Sequence, residues 1–358
     1  MSKAPMDYRS AGVDLDRAHR DKEGLKELVA STRDENTLSE MGLFGGLYRV
    51  PGDVEDPVLV SSADGVGTKL KVAIRAGIHD TVGQCLVNHC VNDILVQGAR
   101  PLFFLDYLAT GQVPEGIVPE IVRGVALACR ENGCALLGGE TAQMPDFYSE
   151  GEYDLAGFIV GIVSASRIID GSRVQDGDAL VALPSSGLHT NGYTLARKVF
   201  LGRARLSPDD PMPGLEDETV GEALLRVHRS YLPLLRDELD RDAPGTSSDE
   251  GGGRSELRAL AHITGGGIEG NLPRSLPPGL GADIETSSWK IPPLFQVLAH
   301  LGGIDDDEMF RVFNMGVGMI AVVAPEHADG LVDRLRAAGE PAWILGRVTD
   351  EHDGVRRI

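Results

Sequence analysis

The sequence predicts a two-domain protein of mixed α/β architecture, on three observations. Its 358 residues are more than one hydrophobic core usually organises. Short apolar runs of strand length alternate with amphipathic stretches of helix length through the first half. Residues 171–177, Gly-Ser-Arg-Val-Gln-Asp-Gly, then form a turn-rich joint from which a new strand departs. The boundary is therefore set there, giving an N-terminal domain of residues 1–170 and a C-terminal domain of residues 171–358.

A composition of 42% hydrophobic and 25% charged residues is that of a globular chain. The net charge of −20 repels nucleic acid and anionic lipid, so neither is an expected partner, and an anionic substrate must be met by local cations or helix N-termini. No apolar run approaches the roughly 20 residues of a membrane span, and residues 1–5 lack the apolar stretch of a signal peptide. A cytoplasmic protein is expected. Cys85, Cys90, Cys129 and Cys134 have a spacing that suggests zinc, with His89 nearby. They fall in apolar helical and strand segments, so reduced, buried thiols are expected instead.

Residues 1–40 are polar, with a helix expected over 23–33. The stretch 42–48, Gly-Leu-Phe-Gly-Gly-Leu-Tyr, is either a hairpin corner or a loop that closes over a nucleotide, with Gly45 and Gly46 at its centre. Residues 58–60 read as a buried strand that runs into Asp64, Gly65, Gly67, Thr68 and Lys69. A carboxylate, free backbone amides, a hydroxyl and an ammonium at a strand end are parts that hold a metal ion bound to phosphates, though an ordinary strand-ending turn has the same look. The order Gly-Thr-Lys is not that of a P-loop, and Leu70 replaces the third glycine of a dinucleotide fingerprint. Residues 83–96 are a helix with apolar residues at helical spacing and His89, Asn92 and Asp93 on the other face. A second strand, 101–107, ends in Asp106. A helix at 114–131 leads to a third strand, 134–137, followed by Gly138, Gly139, Glu140 and Thr141, and a fourth strand covers 154–163.

Strand ends thus supply Asp64, Asp106 and Glu140, and a helix supplies Asp93. If these four carboxylates converge, divalent cations must neutralise them, which describes a hard-ion site for Mg²⁺. In the second half a strand at 178–183 enters 184–193, a Ser/Gly-rich loop containing His189, Thr190 and Asn191, before a helix at 194–200. Such a loop is a ready anion site in which His189 positions a substrate or moves a proton; a capping loop with a surface histidine is the alternative. A helix is expected over 219–239 and a low-complexity insert over 241–256. Thr264, Gly265, Gly266 and Gly267 imply close backbone approach to a phosphate or to another strand. A strand at 320–323, a helix at 325–338 and a strand at 343–345 close the chain.

Together these segments resemble one family, the phosphoribosylformylglycinamidine cyclo-ligases, or aminoimidazole ribonucleotide synthetases. The matching blocks are Tyr8-Arg9-Ser10-Ala11-Gly12-Val13-Asp14, Asp64-Gly65-Val66-Gly67-Thr68-Lys69, Val91-Asn92-Asp93, Pro101-Leu102-Phe103-Phe104-Leu105-Asp106-Tyr107 and Gly138-Gly139-Glu140-Thr141-Ala142. Ser186-Gly187-Leu188-His189-Thr190-Asn191-Gly192, Thr264-Gly265-Gly266-Gly267 and Asn314-Met315-Gly316-Val317-Gly318-Met319 follow in the second half. They stand in family order over nearly the whole chain. Leu188 and Thr190 replace a common Pro and Ser, which keeps the character of the loop.

The resemblance implies an α+β N-terminal domain that pairs across a homodimer, an α/β C-terminal domain and an active site in the cleft between them. It implies ATP-dependent closure of formylglycinamidine ribonucleotide to aminoimidazole ribonucleotide, with ADP and phosphate released and Mg²⁺ as the metal. Metal binding falls to Asp64, Asp93 and Glu140, then Asp106. Nucleotide binding falls to Gly45, Gly46, Asp64, Gly65, Gly67, Thr68, Lys69, Asn92, Asp93, Gly139 and Glu140, with Lys69 on a phosphate. Substrate binding falls to His189, Thr190, Asn191, Thr264, Gly265, Gly266 and Gly267, with Lys69 and His189 catalytic. The rivals are a sister enzyme such as a selenophosphate synthetase or thiamine-monophosphate kinase, and a catalytically silent nucleotide-binding homologue. The first cysteine stands at Cys85, no aspartate lies within 42–48, and Asp64, Lys69, Asp93 and Glu140 are all present; each rival therefore fits less well.

Overall fold

Alternating exposed and half-buried positions along residues 57–65 mark a strand with one packed face, and four such strands make the first sheet. The structure, a computed structural model, describes residues 6–8, 10–240 and 256–358. Strands β1 (Pro57–Gly65), β2 (Arg100–Thr110), β3 (Ala135–Gln143) and β4 (Tyr153–Ser164) are ordered β1-β4-β2-β3, parallel only between β2 and β3. Helices α1 (Leu15–Ala30), α2 (Leu70–Ala76), α3 (Asp80–Leu95) and α4 (Ile117–Glu131) belong to this half. The first helix starts and stops earlier than expected, anchored by buried Leu25 and Val29 four residues apart. Close packing of α3 on α4 needs two glycines: a Cβ at Gly83 would meet the carbonyl of Ile121, and one at Gly124 the carbonyl of Asp80. That crossing fixes α3, the helix that carries His89 and Asp93.

The second half is built on a six-stranded sheet. Its strands are β5 (Ala179–Pro184), β8 (Leu257–His262), β9 (Gly281–Ile284), β10 (Val317–Val323), β11 (Trp343–Thr349) and β12 (Gly354–Arg357), ordered β12-β9-β11-β5-β10-β8, with a separate hairpin of β6 (Pro211–Met212) and β7 (Leu215–Thr219). Strand β10, flanked by β5 and β8, is buried at every position, which is why it reads as a continuous apolar run. The accompanying helices are α5 (Tyr193–Arg197), α6 (Val220–Leu225), α7 (Leu232–Asp240), α8 (Gly267–Asn271), α9 (Pro293–Gly302), α10 (Asp306–Val312) and α11 (Pro325–Ala337).

Two expectations are corrected. The strand expected to be buried at 58–60 has only one covered face, and Leu59 is 57% exposed. The single helix over 219–239 is two, α6 and α7, because Pro233 suits only a helix start and residues 226–231 run non-helically across the junction between the halves. That interruption delivers His228 to the site and the Arg226 and Arg229 carbonyls to Lys69 and Asn92. Of the expected insert, residues 241–255 lie outside the described residues; Glu256 is ion-paired with Arg334 at 2.6 Å. All four cysteines are buried and unpaired. Among the described residues no helix is long and apolar enough to cross a membrane.

Candidate active site

Both halves build one cleft. Strand β1 supplies Ser61, Ser62 and Asp64, helix α3 supplies His89 and Asp93 one turn apart, and β8 with the turn after it supplies His262 and Thr264. With Asn271 and Arg274 they line a cavity of about 550 Å³. Four wall residues, Asp64, His89, His262 and Asp93, belong to a string of hydrogen bonds that runs behind the wall through Thr190 and His228, crossing from one half to the other and back. Asp64 Oδ2 meets His89 Nε2 at 2.7 Å, and His89 Nδ1 meets Thr190 Oγ1 at 2.7 Å. Thr190 Oγ1 meets His228 Nδ1 at 2.7 Å, and His228 Nε2 meets His262 Nε2 at 3.0 Å. His262 Nδ1 closes the string on Asp93 Oδ1 at 2.9 Å. Beyond it, Ser62 donates to Asp93 Oδ2 and the Gly65 N–H to Asp64 Oδ1.

Counting hydrogens shows what the string requires. Its five contacts each need one hydrogen, whereas three neutral imidazoles and one hydroxyl supply four. Both ends are carboxylates, which only accept. The string is therefore complete only when it holds one further proton, and the site is shaped for positive charge between Asp64 and Asp93. Burial pushes both carboxyls up, but the histidine hydrogen bonds and charges outweigh it and hold each below the usual carboxylate value. Burial drives His228 well down, and His262 falls for the same reason despite Asp93.

Lys69 is not where the sequence reading put it. Its side chain is fully buried, and the ammonium donates to the carbonyls of His189 (2.9 Å) and Arg226 (2.7 Å) and to Cys85 Sγ (3.1 Å). With three hydrogens so engaged, it reaches no phosphate. It holds two segments of the second half against the first.

His189 is likewise corrected. Its ring is 1% exposed and absent from the cavity wall, stacked on His228 with centroids 4.0 Å apart. Its Nε2 accepts the Ser186 N–H, its Nδ1 has no partner, and burial holds its pKa far down. The loop that carries it takes a left-handed turn at His189 (φ 61°), and Gly318 makes room, since a Cβ there would stand 2.8 Å from His189 Cε1. Its neighbour Thr190 joins the string, and Asn191 is half-buried with an unpartnered Nδ2.

The four carboxylates do not converge. Asp64, Gly157, Asp106 and Gly139 lie in one row across the sheet, on adjacent strands, so Asp64 and Asp106 are two strand spacings, about 10 Å, apart. Leu86 of α3 stands over Gly157 between them. Glu140 comes next after Gly139 and so points to the opposite face. Asp106, Gly139 and Glu140 instead border a second cavity of about 760 Å³ together with Gly45 and Gly46. A Cβ at 139 would collide with the Asp106 carboxylate, which accounts for that glycine. The residues expected to bind nucleotide are thus divided between two cavities. Gly67 and Thr68 are exposed at the start of the turn, whereas Asn92 is fully buried, accepting from the Tyr231 N–H and donating to the Arg229 carbonyl. Thr264 lines the first cavity; Gly265 packs on Asn191, Gly266 turns the backbone (φ 98°), and Gly267 approaches the carbonyls of Phe310 and Phe313. Close approach to protein backbone, not to a phosphate, explains Gly267.

Sequence reasoning missed His228, His262 and Arg274, and left His89 without a role. His89 and Asp93, four apart on one helix, were a readable pair; His228 carried no local signal.

Two family models match the chain: "AIR synthase related protein, N-terminal domain" over residues 21–163 and "AIR synthase related protein, C-terminal domain" over residues 175–358. A phosphoribosylformylglycinamidine cyclo-ligase of Sorangium cellulosum is 49% identical over 346 residues, covering 97% of this chain and 96% of the relative. One of Geobacillus kaustophilus is 49% identical over 350 residues, with 97% and 96% covered. Among solved structures, a thiamine-monophosphate kinase of Stenotrophomonas maltophilia superposes with a TM-score of 0.68 at 19% identity, over 93% of this chain and 95% of that one. The hydrogenase maturation protein HypE in complex with ATP gives 0.61 at 17% identity, over 93% and 86%. These two likenesses concern the fold alone.

Burial carries the Asp106 carboxyl up to about 7. A folded pKa above the unfolded value means that stability is lost as pH rises from about 4 to 7. In metal-free protein, Asp106→Asn should remove that loss, melting close to wild type at pH 4 and above it at pH 8 by an amount equivalent to at most roughly 4 kcal/mol. Thermal melts in a chelator at both pH values check this; a gap that does not widen with pH would contradict it.

Proposed function

Because the chain belongs to the phosphoribosylformylglycinamidine cyclo-ligase family, we propose that its inter-half cleft is the seat of the family's ring closure in purine biosynthesis. The carrying observation is near-half identity over 97% of the chain to relatives of that name. It also separates this reading from the sister-enzyme rival, since the thiamine-monophosphate kinase likeness stands at 19%. Formylglycinamidine ribonucleotide and ATP give aminoimidazole ribonucleotide, ADP and phosphate. Transfer of a phosphoryl group to the formyl amide oxygen makes a leaving group of it, and the ribosyl-bearing nitrogen then attacks the same carbon.

The protein's part is positioning and charge. A divalent cation fits the cleft: donor atoms of His89, Asp93 and His262 lie within 4.8 Å of one another, and Asp64 adjoins His89. We assign the ion of ATP chemistry, with Mg²⁺ as the expected species, to this set; it supplies neutralisation of phosphate charge. Asp106 and Glu140 are not in it. Among the described residues Arg274 is the one lysine or arginine on the cavity wall, and it is assigned, with Thr264, to the anionic substrate. The second cavity, with Gly45, Gly46 and Gly139, is assigned to ATP beside the glycine-rich segment. Gly171 is taken as the domain junction, and the cytoplasm, where four unpaired buried thiols persist, as the working compartment.

A homodimer is the proposed assembly. The face of the first sheet away from its helices carries Leu59, Phe103 and the paired Leu105 and Phe158, which also border the second cavity; Leu59 is 57% and Phe158 46% exposed. An apolar face of this kind on a four-stranded sheet calls for a cover, and a second copy supplies one.

Purified protein with Mg²⁺-ATP should release ADP only when formylglycinamidine ribonucleotide is present, matched by aminoimidazole ribonucleotide. Asp64→Asn should fold normally and lose at least roughly 100-fold in turnover. ATP binding without turnover in the wild type would favour the silent-homologue reading, and near-normal turnover of the variant would remove Asp64 from the site. Sedimentation should show a mass twice 38.2 kDa, reduced to one chain by Phe158→Glu; a wild-type monomer would refute the dimer.

A further inference from the structure

The donor set in the cleft pairs two imidazoles with two carboxylates and is softer than the all-oxygen set that Mg²⁺ prefers. Each of its four members is held at one end by the protein; donor atoms of His89, Asp93 and His262 lie within 4.8 Å of one another, with Asp64 against His89. His89 is held at Nδ1 by Thr190, His262 at Nε2 by His228, Asp93 at Oδ2 by Ser62, and Asp64 at Oδ1 by the Gly65 N–H. That outer ring of partners is the arrangement that orients ligands in metal sites. The remaining atoms are His89 Nε2, Asp64 Oδ2, His262 Nδ1 and Asp93 Oδ1, which meet in pairs at 2.7 and 2.9 Å. Two donors about 2.1 Å from one ion and at right angles lie about 3 Å apart, so each pair already has the spacing of neighbouring ligands, and an ion that replaces the shared hydrogens draws the two pairs together. His89 and His262 are 4% and 7% exposed, yet both line the 550 Å³ cavity, so the ion keeps open positions for water or substrate. The other buried histidine group, His189 with His228 and His262, is excluded by geometry: the His189 and His228 rings stack at 19°, and lone pairs lying in two stacked planes cannot point at one ion.

We propose that this cleft is a nitrogen-ligated metal site in which His89 and His262 bind a first-row transition dication directly, beside Asp93 and Asp64, in preference to Mg²⁺. Imidazole suits such ions, whereas Mg²⁺ takes oxygen donors and keeps its waters. The proposal rests on the assignment of the family's cation to this cleft, and it is tested with the metal alone, so that its failure leaves the ring-closing activity untouched.

The probe is Mn²⁺ added to full-length, metal-free protein without nucleotide or substrate. Electron spin-echo modulation of bound Mn²⁺ should show directly coordinated nitrogen in the wild type. His89→Gln and His262→Gln should each reduce that coupling and weaken Mn²⁺ binding about 10–100-fold, with a markedly smaller loss of Mg²⁺ binding. Bound Mn²⁺ with no nitrogen coupling in the wild type would overturn the proposal, whether or not the variants fold. Equal losses of Mn²⁺ and Mg²⁺ in folded variants would also overturn it, leaving the imidazoles as hydrogen-bond partners of an all-oxygen site.

Discussion

One buried ammonium holds the active centre in register. Lys69 has no exposed surface, and an unpaired charge there would cost several kcal/mol, so its hydrogens must find partners. It finds them on the carbonyls of His189 and Arg226 and on Cys85, a residue of α3. The His228 N–H also donates to Cys85 Sγ. The segments around 189 and 226–228 are thus tied to the first half through backbone atoms. Thr190 and His228 are placed by that tie, and through them His89 and His262. Burial would lower the ammonium's pKa, but Cys85 and Tyr193 raise it overall, so the tie persists as a charged one.

From that tie follows the charge balance of the cleft. Two carboxylates face each other through a string one hydrogen short of complete, and the surrounding histidines are too buried to charge freely. The site is accordingly a place where one positive species resides, which is what chemistry on a triphosphate demands of a protein whose overall charge is −20. Asp106 represents the opposite solution. Isolated from Asp64 by Leu86, it meets burial by holding its proton more tightly.

Much of this was legible in the residues. The strands near 58–60, 101–107, 154–163 and 320–323 were legible, although the apolar run at 58–60 concealed the exposed face of β1; Gly83 and Gly124 are legible afterwards as the price of a tight helix crossing. Asp64, Asp93 and Thr264 do line one cleft. The failures share a cause. Position along the sequence says where a strand ends but not which neighbours it acquires, so Asp106 and Glu140 were grouped with Asp64 although strand order and the alternation of faces part them. Lys69 beside a glycine turn has the outward look of a phosphate ligand, and only the packing of the second half shows it capped by two carbonyls. His228 sits in the break between α6 and α7, a break that the amphipathic pattern across 219–239 conceals.

The central claim is that the cation of the reaction sits in the cleft between the two halves. Crystals grown with Mn²⁺ and a non-hydrolysable ATP analogue, measured at the manganese absorption edge, test it most directly. The account predicts an anomalous peak within bonding distance of Asp93, with Asp64, His89 and His262 around it. A peak found solely beside Asp106 or Glu140, with His89 and His262 still hydrogen-bonded to Asp64 and Asp93, would contradict it.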